Sequence, residues 1–320
     1  MTVPARLDEG ATPPVAIALI LASYLLFSFL DTSSKYLVLA GVSPLFVAWT
    51  RFAVHVVIVL VVFRSWREPI RFRAANLPAH ILRGLFLFGA TILNIIALRT
   101  MQLAETMSIF FAGPMVITAL AGPLLGEWAG WRRWIAILIG LVGVVIITRP
   151  GVGVFGVGHL LALGSMLSNS LYVIMTRRMG AKETSESLIL YAALCPTILL
   201  LPAFALPLSL PQDGWHWFII CMLGVFGGVG HYLLIIAYRM ASATALAPYP
   251  YSQMIWMIAF GWLIFNQLPD GWTLVGAAVI VAGGLYIVHR EHRLRVHNRA
   301  ALAAETDELA KKLDLPRRDV

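Results

Sequence analysis

Ten apolar runs, each about the length needed to cross a bilayer, constrain this chain more than any other feature of its 320 residues. A hydrocarbon core about 30 Å thick takes roughly 20 helical residues to span. Runs of that length occupy 15 to 34, 44 to 64, 80 to 99, 103 to 125, 132 to 148, 159 to 176, 188 to 208, 215 to 237, 244 to 266 and 272 to 289. The breaks between them are short and polar, and Trp66, Trp128, Trp131, Trp215 and Trp272 mark run ends, where interfacial aromatics belong. The fold class expected is an all-α integral membrane protein of ten transmembrane helices.

Composition agrees and narrows the function. Hydrophobic residues make up 59% of the chain and charged residues 12%, against about 25% charged in a soluble domain. Of the 40 Asp, Glu, Lys and Arg, 14 lie in residues 290 to 320 and three in residues 1 to 14, leaving 23 for everything between. The net charge of +8 sits in loops and tail, which points to the bilayer and its headgroups as partner, not to nucleic acid. Cys195 and Cys221 both fall in apolar runs and indicate neither a disulfide framework nor a metal site. The first apolar run follows Asp8 and Glu9 and is read as an uncleaved helix.

Lys and Arg set the orientation. With the N-terminus inside, twenty of the 24 fall on inner segments, three outside (Lys35, Arg99 and Arg149), and one, Arg51, well within a span. Both termini are expected on the cytoplasmic side of a cell inner membrane. The tail from Val296 to Leu315 carries apolar residues at helical spacing among mixed charges, as a membrane-skimming helix or a solvated terminus would.

The sequence repeats itself at an offset of 140 residues: Gly84 matches Gly224, Phe86 matches Phe226, Ile95-Ile96-Ala97 matches Ile235-Ile236-Ala237, Arg99 matches Arg239 and Gly143 matches Gly283. Five spans per half is an odd number, so the second half enters the membrane in the opposite sense. The organisation expected is an N-terminal tail (1–14), a first five-helix repeat (15–149), a joining loop (150–158), a second repeat (159–289) and a charged tail (290–320). Inverted repeats can exchange conformations to open a central site to one side and then the other. That is a carrier's architecture, and it predicts a small-molecule substrate.

Several segments also resemble the EamA branch of the drug/metabolite transporter superfamily. They are Ala97-Leu98-Arg99 and Ala237-Tyr238-Arg239, the fourth span from Ala104 through Pro114 to Leu125-Gly126-Glu127, Trp134 to Gly143-Val144, Trp49-x-Arg51-Phe52, and Arg149-Pro150-Gly151. The second half departs from the pattern at Gln267, where the first has Glu127. The resemblance implies a path lined by spans 1 to 4 and 6 to 9, with spans 5 and 10 peripheral. It also implies transport of small organic metabolites without ATP. Within such a family the aromatic ninth span tilts the expectation toward a flat heterocycle such as riboflavin. Export of amino acids or related amines is the alternative within transport, and a non-transporting scaffold or receptor is the alternative outside it.

Charged groups at mid-membrane cost roughly 2.5 to 3.5 kcal/mol on insertion scales and face a cavity or a partner. Arg51, sharing a helical face with His55, either greets an anionic or carboxylate-bearing substrate, snorkels outward, or pairs with Asp31 or Glu105. Asp31, Lys35, Arg99 and Glu105 fall at outer span ends and are candidates for a gate of ion pairs, or are ordinary rim charges. Proton coupling would draw on Asp31, Glu105, His55 or His231, and Glu127 is read as a partner of Arg132 and Arg133. Prolines interrupt spans 4 (Pro114) and 9 (Pro248, Pro250), and broken helices mark binding sites in transporters. Substrate-contact candidates are therefore Tyr249, Tyr251, Gln253 and Trp256, with Asn94, Ser165, Asn169, Tyr238 and His231; packing is the competing role for each aromatic. Gly224-x-x-x-Gly228, Ala136-x-x-x-Gly140 and Gly283-Gly284 are close-approach motifs, the latter two placing a homodimer contact on spans 5 and 10. Gly151-Val-Gly153-Val-Phe-Gly156 imitates a dinucleotide fingerprint but lacks the strand and helix around it. No cofactor, metal site or catalytic chemistry is expected.

Overall fold

The computed structural model describes residues 13–62, 67–126, 128, 130–150, 155–180, 182–241, 246, 249–286 and 289; side chains 132, 133 and 239 lie outside that description. So do Glu127, Pro248, Gly151, Gly153 and the tail, and with them the expectations placed there. Ten helices run through the described residues: α1 (Pro14–Leu39), α2 (Pro44–Val62), α3 (Leu77–Ala97), α4 (Leu103–Leu125), α5 (Trp131–Thr148), α6 (Val157–Met179), α7 (Ser185–Leu199), α8 (Gly214–Met240), α9 (Gln253–Phe265) and α10 (Gly271–Tyr286). Seven spans are long and apolar enough to cross a membrane, α7 counting with its continuation to Ala205; α5 and α10 offer shorter apolar stretches, and α9 is an apolar helix of 13 residues.

Helix starts follow local chemistry. Asn76, Thr184 and Asp213 each accept the amide of the residue three on, capping α3, α7 and α8. Helix α7 ends sooner than the apolar run that contains it, giving way to a 3-10 turn at Leu201–Ala205 around Pro202. Proline there cannot continue the helical hydrogen-bond ladder.

The repeat is visible in the packing. Helix α1 lies on α8 and α3 on α6; α2 lies on α8 and α3 on α7; α9 lies on α1 and α4 on α6; α2 meets α7 and α4 meets α9. Exchanging each helix with the one five further along or back turns this set of pairings into itself. Individual bonds obey the same rule. Ser23 Oγ on α1 donates to the Gly230 carbonyl on α8 at 2.8 Å, and Ser165 Oγ on α6 donates to the Ala90 carbonyl on α3 at 2.6 Å. Helix α4 breaks at Phe111 and Ala112, just before Pro114, and the segment ahead of α9 is a 3-10 turn ending at Ser252, 140 residues on. Both helices then close on a left-handed residue, Gly126 at φ 76° and Asn266 at φ 53°, two of the residue types that accept that conformation.

Glycines set how closely the halves approach. A Cβ on Gly224 would stand 2.1 Å from Val54 Cβ, and one on Gly228 would stand 2.9 Å from Ile58 Cδ1, so the Gly-x-x-x-Gly face of α8 receives α2. Gly84, the repeat partner of Gly224, meets Cys195 on α7 in the same way, at 2.6 Å. The small residues of α5 and α10 face each other within the chain. A Cβ on Gly143 would lie 2.9 Å from the Gly276 carbonyl, and one on Gly283 would lie 3.4 Å from the Ala136 carbonyl. The motifs expected to serve a dimer thus build an intramolecular seam, because one chain already contains both peripheral helices of an inverted pair.

Candidate functional site

One stripe of α1 organises the polar interior. Tyr24, Phe27, Asp31 and Lys35 are spaced three and four apart, so they share a helix face. Phe27 meets the His231 ring of α8 edge-on at 4.8 Å, and His231 lies 5.5 Å from the His55 ring of α2. Asp31 Oδ1 accepts from Asn94 Nδ2 of α3 at 3.3 Å. The charges of Asp31 and Arg51 act on one another, and Arg51 also acts on His55 and His231. Four helices therefore bring Asp31, Arg51, His55, Asn94 and His231 to one place. All five are half-buried. His231 Nδ1 lies 2.9 Å from the Gly227 carbonyl, to which it donates.

The remaining candidates lie elsewhere. Ser165 is buried in its bond to α3, a structural tie. Asn169 is half-buried on α6, and Tyr238 is exposed near the end of α8, within electrostatic reach of Tyr24. Tyr249 packs against the apolar cluster that Ala16 and Ile20 of α1 form with Ala237, Ala241 and Leu246. Tyr251 meets Phe111, at the break in α4, edge-on at 5.0 Å, and its hydroxyl occupies the space a Cβ on Gly284 would need. Gln253 is buried, while Trp256 stacks on Phe260, which continues through Phe29 to Phe226.

The four charges expected as a gate do not gather at one place among the described residues, although Lys35 and Glu105 lie within electrostatic reach of one another. Lys35, only 2% exposed, donates Nζ to the Met101 carbonyl at 2.6 Å and to Gln267 Oε1 at 2.8 Å, with the Phe265 ring 5.1 Å away. It thereby ties α1 to the α3–α4 connection and to the end of α9. Glu105 pairs with His159 of α6 at 2.8 Å. Arg99 is exposed and lines a surface groove with Val38, Thr100 and Gly158. A further ion pair, Arg149 with Asp270 at 2.5 Å, joins the end of α5 to the start of α10. All these contacts lie at one end of the molecule. There α9 packs on the first segment of α4, Leu103–Phe110, which also meets α5 and α6; the second segment, Gly113–Leu125, keeps α5 and α6 as its main neighbours.

The opposite end carries a second set. Arg83, 1% exposed, reaches Thr176 Oγ1 at 3.1 Å, Tyr172 Oη at 3.3 Å and the Leu188 carbonyl. Counted by sequence among the loop charges, it is instead a buried clamp between α3, α6 and α7. Glu183 accepts the amides of Ala75 at 3.1 Å and Asn76 at 2.9 Å and lies 3.2 Å from His80 Nε2. Its counterpart is plainer: at the Lys35 end the Ser43 amide donates to the Ser209 carbonyl at 2.9 Å. A groove of about 440 Å³ between α5 and α10 is lined by Trp131, Ile139, Gly283, Tyr286 and other apolar or small residues. Its lining among the described residues carries no charge, and it stands apart from the cluster.

Inverted five-helix halves, broken fourth and ninth spans, and a charged cluster at their centre define a membrane carrier built from two repeats. The chain belongs to the EamA-like transporter family, whose model matches residues 14–149 and 156–289. It is 29% identical over 286 residues to an S-adenosylmethionine uptake transporter of Rickettsia bellii, covering 89% of this chain and 97% of that protein. To a riboflavin transporter of Vibrio cholerae it is 24% identical over 280 residues, covering 85% of this chain and 92% of that protein. A solved crystal structure aligns with a TM-score of 0.61 at 22% identity, covering 87% of this chain and 98% of that one, which supports the fold. The protein is thus a multi-pass transporter of small metabolites, not an enzyme.

Proposed function

We propose that the chain is a secondary carrier that moves a heterocycle-bearing metabolite across the inner membrane by alternating access, with both termini cytoplasmic. The carrying observation is the asymmetry of α4 and α9. The first segment of α4 meets α9 at the Lys35 end, where Lys35 links the α3–α4 connection to the end of α9, and beyond the break α4 keeps α5 and α6 as its main neighbours, with the charged cluster between the halves. In this reading the Lys35 end faces outward and is sealed, and the substrate reaches Asp31 and Arg51 from the inner side. The distribution of Lys and Arg between loops supports that orientation.

S-adenosylmethionine is the first substrate to test and riboflavin the second. The Rickettsia bellii relative named for the former overlaps 89% of this chain, and the solute's mixed charges suit a site that holds both Asp31 and Arg51. Riboflavin has its own relatives and suits the aromatic run of α9. Proteoliposomes loaded with unlabelled solute, without ATP, should exchange labelled S-adenosylmethionine saturably. Exchange of riboflavin alone would reverse the order of substrates. Flux no greater than in protein-free vesicles across vitamins, nucleosides and amino acids would overturn the carrier reading.

A further inference from the structure

Asp31 and Arg51 oppose each other without closing into a salt bridge. Counted at about 1.5 Å per residue from the end of α1 at Leu39 and the start of α2 at Pro44, each lies roughly 10 to 12 Å along its helix, so the two sit at nearly one depth. Among the described residues no acid comes within 4.0 Å of the Arg51 guanidinium, and its ring neighbour is Phe52 at 6.0 Å. Asp31 spends Oδ1 on Asn94, and Oδ2 has no hydrogen bond among the described residues. Neither charge is sealed off, since both side chains are half-buried. An ion pair kept for structure at this depth would close, because separated charges in a membrane retain their desolvation cost. A pair held apart, with the carboxylate oriented by an amide, is arranged to be completed by something carrying both signs.

We propose that this gap binds a zwitterionic α-amino-acid group: Arg51 takes the carboxylate, and Asp31, oriented by Asn94, takes the ammonium. The geometry assigns Asn94 as the positioning residue. The inference rests on the reading of this cluster as the substrate site. It makes the charged head of the substrate, more than its ring, the part that is selected. A neutral heterocycle would leave both protein charges unsatisfied, and a site with unpaired buried charges rejects such a ligand.

Three small probes test it on the full-length protein in detergent, by ligand-dependent thermal shift. Methionine carries both charges, methionine methyl ester keeps only the ammonium, and 4-(methylthio)butanoate keeps only the carboxylate. Methionine should bind about tenfold or more tightly than either singly charged probe, the loss expected for one charged hydrogen bond. Arg51→Gln should bring methionine down to the ester, and Asp31→Asn should bring it down to the butanoate. Asn94→Ala should weaken the ester more than the butanoate. Equal binding of all three probes to the unsubstituted protein overturns the proposal, as does failure of methionine to bind in the high millimolar range; both results stand even if a variant fails to fold. Variants that melt earlier with an unchanged probe ranking would show a structural pair and also overturn it. Ranking without flux would sink the carrier reading and leave this one, whereas flux with equal ranking would do the reverse.

Discussion

Lys35 is the residue on which the sealed end depends. Its ammonium lies buried at a helix end and bonds two neutral oxygens, one from each half of the chain. Methionine at this position would keep the length and lose the donors, stranding the Met101 carbonyl and the Gln267 amide oxygen. A hydrogen bond to a charged group contributes roughly 1.5 to 3 kcal/mol. We therefore expect Lys35→Met to lower the melting temperature and to raise the access of impermeant thiol reagents to cysteines placed just below the seal. An unchanged melting temperature with unchanged access would remove Lys35 from the seal. Sequence alone put Lys35 at an outer span end but looked for an acid as its partner. One of its two acceptors is a main-chain carbonyl, which carries no residue signature. Arg83 escaped for a related reason: it stands near the start of α3, and a hydropathy run does not say whether a charge there turns outward to water or inward to Tyr172 and Thr176.

At the scale of elements, the packing of α8 on α2 was legible because Gly224 and Gly228 spell a close approach in any sequence. Which helix they approach came only from the fold. Gly224→Val places new atoms against Val54, and overpacking of this kind costs about 1 to 3 kcal/mol; fluorescence-detected size exclusion should show lost monodisperse protein. Gly271→Ala meets nothing within 4 Å and should behave like the parent chain. The α6–α7 loop gives a second prediction. Burial alone would raise the Glu183 carboxyl, but the Ala75 and Asn76 amides and His80 hold it down, from 4.5 to about 2. A carboxyl depressed on folding contributes stability above its unfolded value and loses it as the pH falls toward its folded one. Glu183→Gln should therefore melt below the parent above pH 4.5, with the gap closing between 4.5 and about 2. A gap independent of pH would show that the loop does not depend on that charge. The aromatic residues around α9 mark the limit of sequence reading at this scale. Pro250 and Tyr251 announced an irregular helix, but Tyr251 turns to Phe111 and Gly284, away from the charged cluster. Periodicity gives depth along an axis and says little about the direction a side chain faces when every face is apolar.

For the whole molecule, the repeat was readable from Ile95-Ile96-Ala97 and Ile235-Ile236-Ala237 and returned as geometry in paired hydrogen bonds and paired left-handed caps. The convergence of Asp31, Arg51, His55, Asn94 and His231 was only half legible. Each residue stood out as polar in an apolar run, but their meeting depends on how four helices cross. The alternating access proposed above requires a second conformation, and the symmetry suggests its form: the α4 and α9 contact moves to the other end. The most direct test is two-sided accessibility of a single cysteine at the cluster. It uses Phe27→Cys, beside His231 at the cluster, in a chain whose buried Cys195 and exposed Cys221 are replaced, reconstituted in oriented vesicles and probed with an impermeant thiol reagent. Without solute, labelling should come from the inner face only, and addition of a transported solute should bring labelling from the outer face. Equal labelling from both faces at all times would describe a channel, and no labelling from either face would mean that the cluster is core; both would contradict alternating access through this site.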